Sequence, residues 1–229
     1  MKLAALFSGG KDSTYAIYLA KKLGHTVEVL LTLYPYSDES HLLHYPNIHF
    51  TSLQAKSMKI PQLVEKITSS DPAIESEKLH NLIINAKQKY SIQGIVHGGI
   101  LSNYQKDNFS LVCKKYQLEI ISPLWKKDAE SYMKELLDTN FEYILSTVSS
   151  EGLNDSWLGR KISHSDLDRL KQLQKKFNFN LNFEGGEAET FVINCPLFEK
   201  PLLIQNSNIK WDGYRGRFEI LEAKLKDNA

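Results

Sequence analysis

A short polar loop near the start of the chain carries residue types that bind phosphate. It reads Ser8-Gly9-Gly10-Lys11-Asp12-Ser13 and follows the apolar run from Leu3 to Phe7. The two glycines allow a sharp turn and a close approach of the backbone to a ligand. The predicted helix that follows offers unpaired N–H groups and the positive end of its dipole, while lysine and serine add a cation and hydroxyl donors. The loop therefore predicts a site for the phosphate chain of a nucleotide, with all six residues as candidate ligands.

Asp12 is the residue of this loop that needs a separate explanation. A carboxylate beside phosphates repels them unless a cation lies between, so one role is to help hold Mg²⁺. The other role is to cap the first helical turn. Lys11 and Asp12 are the candidate catalytic residues, and Asp12 is the candidate metal ligand. The loop is not a Walker A motif, because Ala5 and Asp12 stand where that motif has glycine and Ser or Thr, and it is not GxGxxG.

The elements that must position this loop alternate between strand and helix. Apolar runs predict strands at Leu3–Phe7 and Thr26–Leu33 around a helix at Thr14–Leu23, with Gly24 as its C-cap, which makes a βαβ unit. The alternation continues with predicted strands at Ile48–Phe50, Ile95–His97 and Glu119–Ser122. Helices are predicted between them at Glu75–Tyr90 and Ser102–Tyr116. We therefore expect an α/β fold, a Rossmann-like three-layer domain with a mostly parallel sheet, over residues 1–125.

Residues 126–229 read as a smaller α+β domain. Helices are predicted at Asp128–Asn140, with Asp128 as N-cap, and at Ser163–Phe177. Predicted strands in this part of the chain lie at Phe141–Val148, Thr190–Ile193, Leu202–Gln205 and Arg217–Ala223.

Two glycines after the strand at Ile95–His97 extend the predicted nucleotide site. Gly98 and Gly99 fall at the carboxyl edge of the sheet, where nucleotides bind, and allow the chain to approach adenosine. Tyr104 and Gln105 follow on the predicted helix and are the remaining candidate ligands. A tyrosine on an amphipathic helix is more often a core residue than a ligand, and both roles of Tyr104 stay open.

The glycine loop resembles the PP-loop of the N-type ATP pyrophosphatases, which binds the pyrophosphate part of ATP. Further segments make nearly the whole chain, from Met1 to about Trp211, similar to the diphthamide synthetase (diphthine–ammonia ligase) family. These segments are Leu53–Lys56 with Ile60-Pro61, Gly98–Gln105, Pro123–Trp125, Ser156–Arg160 and Glu184–Thr190.

The resemblance implies an AMP-forming ligase with a fold of the adenine nucleotide alpha hydrolase type. ATP would activate the carboxylate of diphthine, a modified histidine on elongation factor 2, and ammonia would then displace AMP to leave the amide. The second domain would recognise this acceptor through the acidic segment, whose implied binding residues are Glu184, Gly185, Gly186, Glu187, Glu189 and Thr190.

The chemistry of the acceptor gives these residues a physical role. Diphthine carries a trimethylammonium group, which donates no hydrogen bonds and is held by carboxylates and aromatic faces. Glu184, Glu187 and Glu189 supply the first, and Trp157 supplies the second. The carboxylates have other open roles, namely binding Mg²⁺ or orienting ammonia, and Gly185-Gly186 also fits a plain surface turn.

Three neighbouring positions complete the candidate acceptor site. Arg160 has three open roles: pairing with the glutamates, with a phosphate of the nucleotide, or within a structural ion pair. Phe183 stands where the family often has glycine, and Ala188 where an aromatic or larger apolar residue is usual. Both departures touch the acceptor pocket rather than the ATP loop.

The composition limits the class of protein. Lys plus Arg total 28 and Asp plus Glu total 27, a net charge of +1 that argues against binding nucleic acid through charge alone. No apolar run is long enough for a membrane span. The two cysteines lie far apart and predict reduced, buried thiols in a cytoplasmic protein. His41, His44 and His49 lack metal-ligand spacing.

Two other functions remain open beside the ligase. One is a different PP-loop enzyme that modifies tRNA or a small molecule, although the chain lacks the paired cysteines of many sulfur-transferring relatives. The other is a nucleotide sensor without catalysis, which the intact Lys11, Asp12 and three glutamates disfavour. The strand-rich second half suggests a homodimer.

Overall fold

A computed structural model describes residues 1–35, 47–99 and 113–227. The chain divides into two compact units, the first comprising Met1–Ser8 with Asp12–Lys126 and the second comprising Gly9–Lys11 with Lys127–Ala229. The middle of the glycine loop thus groups with the second unit. The predicted assignment of residues 1–125 to ATP binding and 126–229 to acceptor recognition stays a prediction.

The first unit is built on a five-stranded sheet in the order β3-β2-β1-β4-β5. All its pairings are parallel, so the predicted α/β fold with a mostly parallel sheet is confirmed. The order reverses direction between β1 and β4, and ligands bind at such a switch point outside the carboxyl ends of the strands. The strands are β1 Lys2–Leu6, β2 Thr26–Tyr34, β3 Gln62–Lys66, β4 Gly94–Val96 and β5 Glu119–Ile121.

Helix α1, Lys11–Lys22, begins three residues before its predicted start, so the end of the glycine loop is already helical. It ends as predicted at Gly24, whose φ is +83°. The N–H of Gly24 donates to the Lys21 carbonyl at 3.0 Å, and that of His25 donates to the Ala20 carbonyl at 3.1 Å, which closes a Schellman motif. Leu23, the last residue of the predicted helix, lies just beyond the observed helix and is 66% exposed.

The segment after the undescribed residues 36–46 corrects one prediction. Ile48–Phe50 is a 3-10 turn rather than a strand, and it leads into α2, Thr51–Met58. The hydroxyls of Thr51 and Ser52 donate to the carbonyls of Ile48 and His49 at 2.6 and 3.0 Å, so local side-chain bonds favour the turn. A segment of three residues is too short to show a period of two, and α2 and β3 were not predicted.

Helix α3, Pro72–Tyr90, supplies much of the core against the sheet. It starts three residues earlier than predicted because Asp71 caps it, accepting from the Ala73 N–H at 2.9 Å, and Pro72 occupies the first turn. Most of the helix predicted at Ser102–Tyr116 lies outside the described residues. Buried residues of this core include Ala4, Val29, Leu31, Leu82, Ile83, Ala86 and Ile95.

The second unit holds an antiparallel sheet in the order β7-β6-β9-β8, which confirms the predicted α+β class. Its helices are α4, Ala129–Asp138, capped as predicted by Asp128, and α5, His164–Phe177. Ser163 and Asp166 form a capping box at the start of α5. The strands are β6 Glu142–Val148, β7 Ala188–Asn194, β8 Leu202–Trp211 and β9 Gly216–Leu225.

The hairpin of β8 and β9 is longer than predicted, since β8 was expected to end at Gln205. Its outer half is mostly exposed and polar, so no apolar alternation marks it as strand. Asp212 closes the turn by accepting from the N–H groups of Tyr214 and Arg215 at 2.9 and 2.7 Å. Tertiary pairing with β9 therefore decides the strand, not local propensity.

Cys113 and Cys195 are free and buried, as predicted. Burial raises the pKa of Cys113 to about 11 and that of Cys195 to about 12, so both thiols stay protonated at neutral pH. Among the helices in the described part of the chain, none combines the length and apolar character required to cross a membrane.

Candidate functional site

The glycine loop connects β1 to α1 through a sharp turn. Gly9 lies in the left-handed region, with φ +81°, which a residue with a side chain rarely adopts. In the first unit, the Ser8 N–H donates to Ser13 Oγ at 3.3 Å, and the two hydroxyl oxygens lie 3.2 Å apart. Asp12 is the second residue of α1, where a carboxylate interacts favourably with the helix dipole. The loop thus makes the sharp turn that its glycines predict, and its role as an anion site stays a prediction.

Gly98 lies directly against the start of α1 in the first unit. A Cβ on Gly98 would come within 2.5 Å of the Asp12 carbonyl carbon and 2.6 Å of the Ser13 nitrogen. No side chain fits there without moving the backbone of the loop. Glycine is therefore required by packing at this position, and the predicted contact of Gly98 and Gly99 with adenosine stays a prediction.

His97 is a buried polar residue that the sequence analysis did not single out. It follows β4 at the carboxyl edge of the sheet and is 4% exposed. Its Nδ1 accepts from the Gly99 N–H at 3.1 Å, so its Nε2 carries the proton of the neutral ring and donates to Ser122 Oγ at 2.6 Å. The ring thereby fixes the turn that holds Gly98 against α1. A histidine directly after a buried strand and before two glycines is the signal that could have found it.

Lys11 lies within the second unit and is 2% exposed. Its Nζ donates to the Asn182 carbonyl at 2.7 Å and lies 5.8 Å and 5.6 Å from the ring centroids of Tyr132 and Phe183. Its backbone N–H donates to Thr190 Oγ1 at 3.0 Å. The structure thus brings Lys11 and Thr190, which are 179 positions apart, into direct contact. The predicted catalytic role of Lys11 stays a prediction.

The edge of the antiparallel sheet continues this contact. The Val192 N–H of β7 donates to the Gly9 carbonyl at 3.0 Å, two residues after Thr190 in the same strand. Backbone and side-chain bonds from β7 therefore both hold the middle of the glycine loop, and this half of the loop is shaped by the second unit.

In the acidic segment, Gly185 and Gly186 lie in an exposed turn, as one of the open alternatives expected, and a side chain ties this turn together. The Glu187 carboxylate accepts from three donors of its own loop: the Asn180 N–H at 2.8 Å, Asn180 Nδ2 at 2.7 Å and the Gly185 N–H at 2.9 Å. Gly186 has φ +80°, which explains its glycine. Glu184 and Glu189 are half-buried, and the Glu189 N–H donates to Thr147 Oγ1 at 2.9 Å. The substrate-binding roles of these residues stay predictions.

Phe183, where the family resemblance implies glycine, has a backbone conformation that favours glycine. Its φ is +64°, a conformation that costs a residue with a Cβ about 1–2 kcal/mol. Its ring is 5% exposed, stacks on Phe179 with centroids 6.4 Å apart and lies near the Lys11 ammonium. Burial of the ring offsets the backbone cost, so the departure is accommodated by packing.

Trp157 and Arg160 form part of the packed second unit. Trp157 is 1% exposed, and the guanidinium carbons of Arg160 and Arg169 lie 5.6 and 5.1 Å from its ring centroid. Arg160 pairs with the buried carboxylate of Asp166 at 2.6 Å. Of the roles left open for Arg160, the structure contains the structural ion pair. The aromatic face predicted to meet a trimethylammonium group is buried here, and substrate binding by both residues stays a prediction.

Four residues named from the sequence fall in segments that the structure does not describe. Tyr104 and Gln105, as well as His41 and His44, lie outside the described residues. Within 1–35, 47–99 and 113–227, no three His, Cys, Asp or Glu side chains group as a metal site. The role of Asp12 as a metal ligand stays a prediction.

Two family models together match nearly the whole chain. The model described as the diphthamide synthase N-terminal domain matches residues 1–120, and the diphthamide synthase C-terminal domain matches residues 128–225. The chain belongs to the diphthamide synthase family.

The chain is also similar to proteins that are named diphthine–ammonia ligase. It is 33% identical over 227 residues to the diphthine–ammonia ligase of Bos taurus and 31% identical to that of Homo sapiens, each time covering 91% of this chain and 85% of the relative. A solved chain from Methanocaldococcus jannaschii, described as a predicted subunit of tRNA methyltransferase, aligns with a TM-score of 0.42 and 19% identity over 86% of this chain and 98% of that chain.

Proposed function

We propose that this chain is an ATP-dependent ligase that converts diphthine on elongation factor 2 to diphthamide. The carboxylate of diphthine attacks the α-phosphate of ATP and pyrophosphate leaves. Ammonia then attacks the adenylated carboxyl, loses a proton, and expels AMP as the amide forms. Family membership and the names of the relatives support this reaction.

The observation that carries the proposal is the contact between the two motifs the reaction requires. Thr190 of the acidic segment accepts from the Lys11 N–H at 3.0 Å, so a group recognised by that segment and a nucleotide on the glycine loop would be neighbours. Holding two reactants in place converts a bimolecular step into an effectively unimolecular one. Catalysis by this chain is therefore proposed to rest on positioning and on neutralising phosphate charge.

Each part of the loop has a proposed task in that scheme. Backbone N–H groups at the start of α1, with the Ser8 and Ser13 hydroxyls, bind the departing pyrophosphate. Asp12 would hold Mg²⁺, which supplies positive charge to the phosphates when bound. The Lys11 ammonium already donates to Asn182, so Lys11 acts at least in part by fixing the loop.

The test is ammonia-dependent release of AMP and pyrophosphate from ATP, with and without elongation factor 2 that carries diphthine. We expect Lys11→Ala and Asp12→Ala to lower pyrophosphate release by about 10²–10³, the usual effect of removing one electrostatic contact to a transition state. Lys22→Ala, an exposed lysine of the same helix, is the matched control and should retain activity. Unchanged release in both loop variants would overturn the assignment of the loop.

We also propose a Mg²⁺ cofactor, a homodimer and a cytoplasmic location. Mg²⁺ follows from the charge of the phosphate chain, and titration with EDTA should abolish release if it is required. A homodimer, tested by analytical ultracentrifugation, and a cytoplasmic location, tested by fractionation, follow the original expectations from sequence.

A further inference from the structure

The Glu187 carboxylate is turned onto its own loop. One oxygen, Oε1, accepts from both the N–H and the side-chain amide of Asn180, and the other, Oε2, accepts from the N–H of Gly185. These three bonds, at 2.7–2.9 Å, use most of the roughly four lone-pair directions of a carboxylate. They join the two ends of the loop formed by residues 180–187, which we call the acidic loop.

Gly185 shows independently how tightly this loop is closed. A Cβ on Gly185 would come within 2.6 Å of Glu187 Oε1 and 2.7 Å of Asn180 Nδ2. Gly185 is not in the left-handed region, so the reason for glycine is space and not φ. The carboxylate therefore occupies the place that a side chain at residue 185 would need.

The closed loop is also anchored to the rest of the second unit. Ser149, just after β6, donates from its N–H to the Glu187 carbonyl at 2.8 Å and from its hydroxyl to the Gly186 carbonyl at 2.5 Å. Nearer the start of the loop, the Asn182 carbonyl accepts a hydrogen bond from the Lys11 ammonium. The shape that Glu187 imposes thus sets where the acidic loop stands relative to Lys11 of the glycine loop.

We propose that Glu187 is a positioning residue, which preorganises the acidic loop for the acceptor and is not itself a ligand of the acceptor's cation. The inference rests on the proposed function and divides the work within the acidic segment. A carboxylate that already accepts three hydrogen bonds is a weak counter-ion, whereas a loop held in its binding shape binds without first being ordered. Apparent affinity falls in proportion to the competent fraction of loops.

Two substitutions break this clamp in different ways. Glu187→Gln keeps the size of the side chain but offers only one acceptor oxygen, so the amide NH₂ must face either the Asn180 donors or the Gly185 N–H. Gly185→Ala displaces the carboxylate and leaves every charge in place. Glu151→Gln, at an exposed residue outside the loop, is the matched control for the first change.

The experiment measures amide hydrogen exchange over residues 180–187 and steady-state kinetics of the full chain with diphthine-bearing elongation factor 2. We expect both variants to speed exchange in this loop, to raise the KM for the acceptor about tenfold, and to leave the KM for ATP within about twofold. The control should match the unmodified chain in all three measurements. Gly185→Ala carries the test by itself if Glu187→Gln does not fold.

Three results would overturn the proposal. Exchange that is unchanged in both variants would show that the clamp does not order the loop. Faster exchange with an unchanged acceptor KM would show that loop order is not used. A raised KM in Glu187→Gln alone, with faster exchange in both, would show that Glu187 binds the acceptor through its charge. If the unmodified chain releases no AMP, the proposed function fails, and the exchange measurement still tests the clamp.

Discussion

The glycine loop and the acidic loop are both short and glycine-containing, but their shapes have different origins. The first is shaped by backbone: Gly9 supplies a positive φ, and Gly98 allows the start of α1 to lie within van der Waals distance. The second is shaped by side chains, since Glu187 joins its ends and the ring of Phe183 is buried beneath it. A loop shaped by its backbone can be recognised in the sequence from its glycines. In a loop shaped by side chains, the sequence does not distinguish residues that hold the loop from residues that bind a ligand.

The largest effect is expected from Gly98→Ala. Its Cβ would meet the Asp12 and Ser13 backbone at 2.5–2.6 Å, so the first turn of α1 must move and the proposed anion site with it. We expect pyrophosphate release to fall by at least about 10², the loss typical of misplaced catalytic groups, while circular dichroism shows the fold retained. Nucleotide binding measured by calorimetry should weaken in parallel.

Gly186→Ala is the comparison for that experiment. Nothing lies within 4 Å of a Cβ at Gly186, so only its φ of +80° opposes the change, at about 1–2 kcal/mol. The variant should lose that much stability and keep its affinity for ATP. Equal loss of ATP binding in both variants would contradict the distinction between the two loops.

An intermediate effect is expected from Phe183→Gly. Relief of the positive φ returns about 1–2 kcal/mol, but losing a buried phenyl ring costs about 3–5 kcal/mol. Packing therefore wins, and the free energy of unfolding should fall by about 2–3 kcal/mol in urea titration. A more stable variant would show that the backbone, as in the glycine loop, governs this position too.

The smallest effect is expected from Asp166→Asn, which tests whether Arg160 belongs to the structure. Burial alone would raise the pKa of Asp166, but hydrogen bonds from Ser163 and the Arg160 guanidinium outweigh it and hold the pKa below its usual range. A lowered pKa stabilises the folded chain above the unfolded value of about 3.9, and this contribution is lost as pH falls through the folded value.

We therefore expect Asp166→Asn to reduce stability by about 1 kcal/mol at pH 7, because Arg160 is partly exposed and solvent screens the pair. The difference should shrink as pH falls below about 4 in urea titrations across pH. The KM values for ATP and acceptor should stay unchanged. A raised KM for ATP or for the acceptor would indicate that Arg160 binds a ligand.

Local patterns were sufficient wherever a single element carried its own signal. The parallel sheet, the caps at Gly24 and Asp128, and the sharp turn of the glycine loop follow from apolar runs, cap residues and glycine spacing. Local patterns fail where the signal is non-local or too short. Ile48–Phe50 is a 3-10 turn, β3 is a partly exposed edge strand, and the outer half of β8 is polar.

The sequence by itself determined the chemistry of this protein, because strand–glycine loop–helix is a local pattern and the motifs of the diphthamide synthase family are linear. Only the tertiary structure decided which groups the individual side chains contact. It places Lys11 on Asn182, Arg160 on Asp166 and Glu187 on Asn180. A charged residue in a motif looks the same in sequence whether its partner is a ligand or the chain itself, since that partner is fixed by folding.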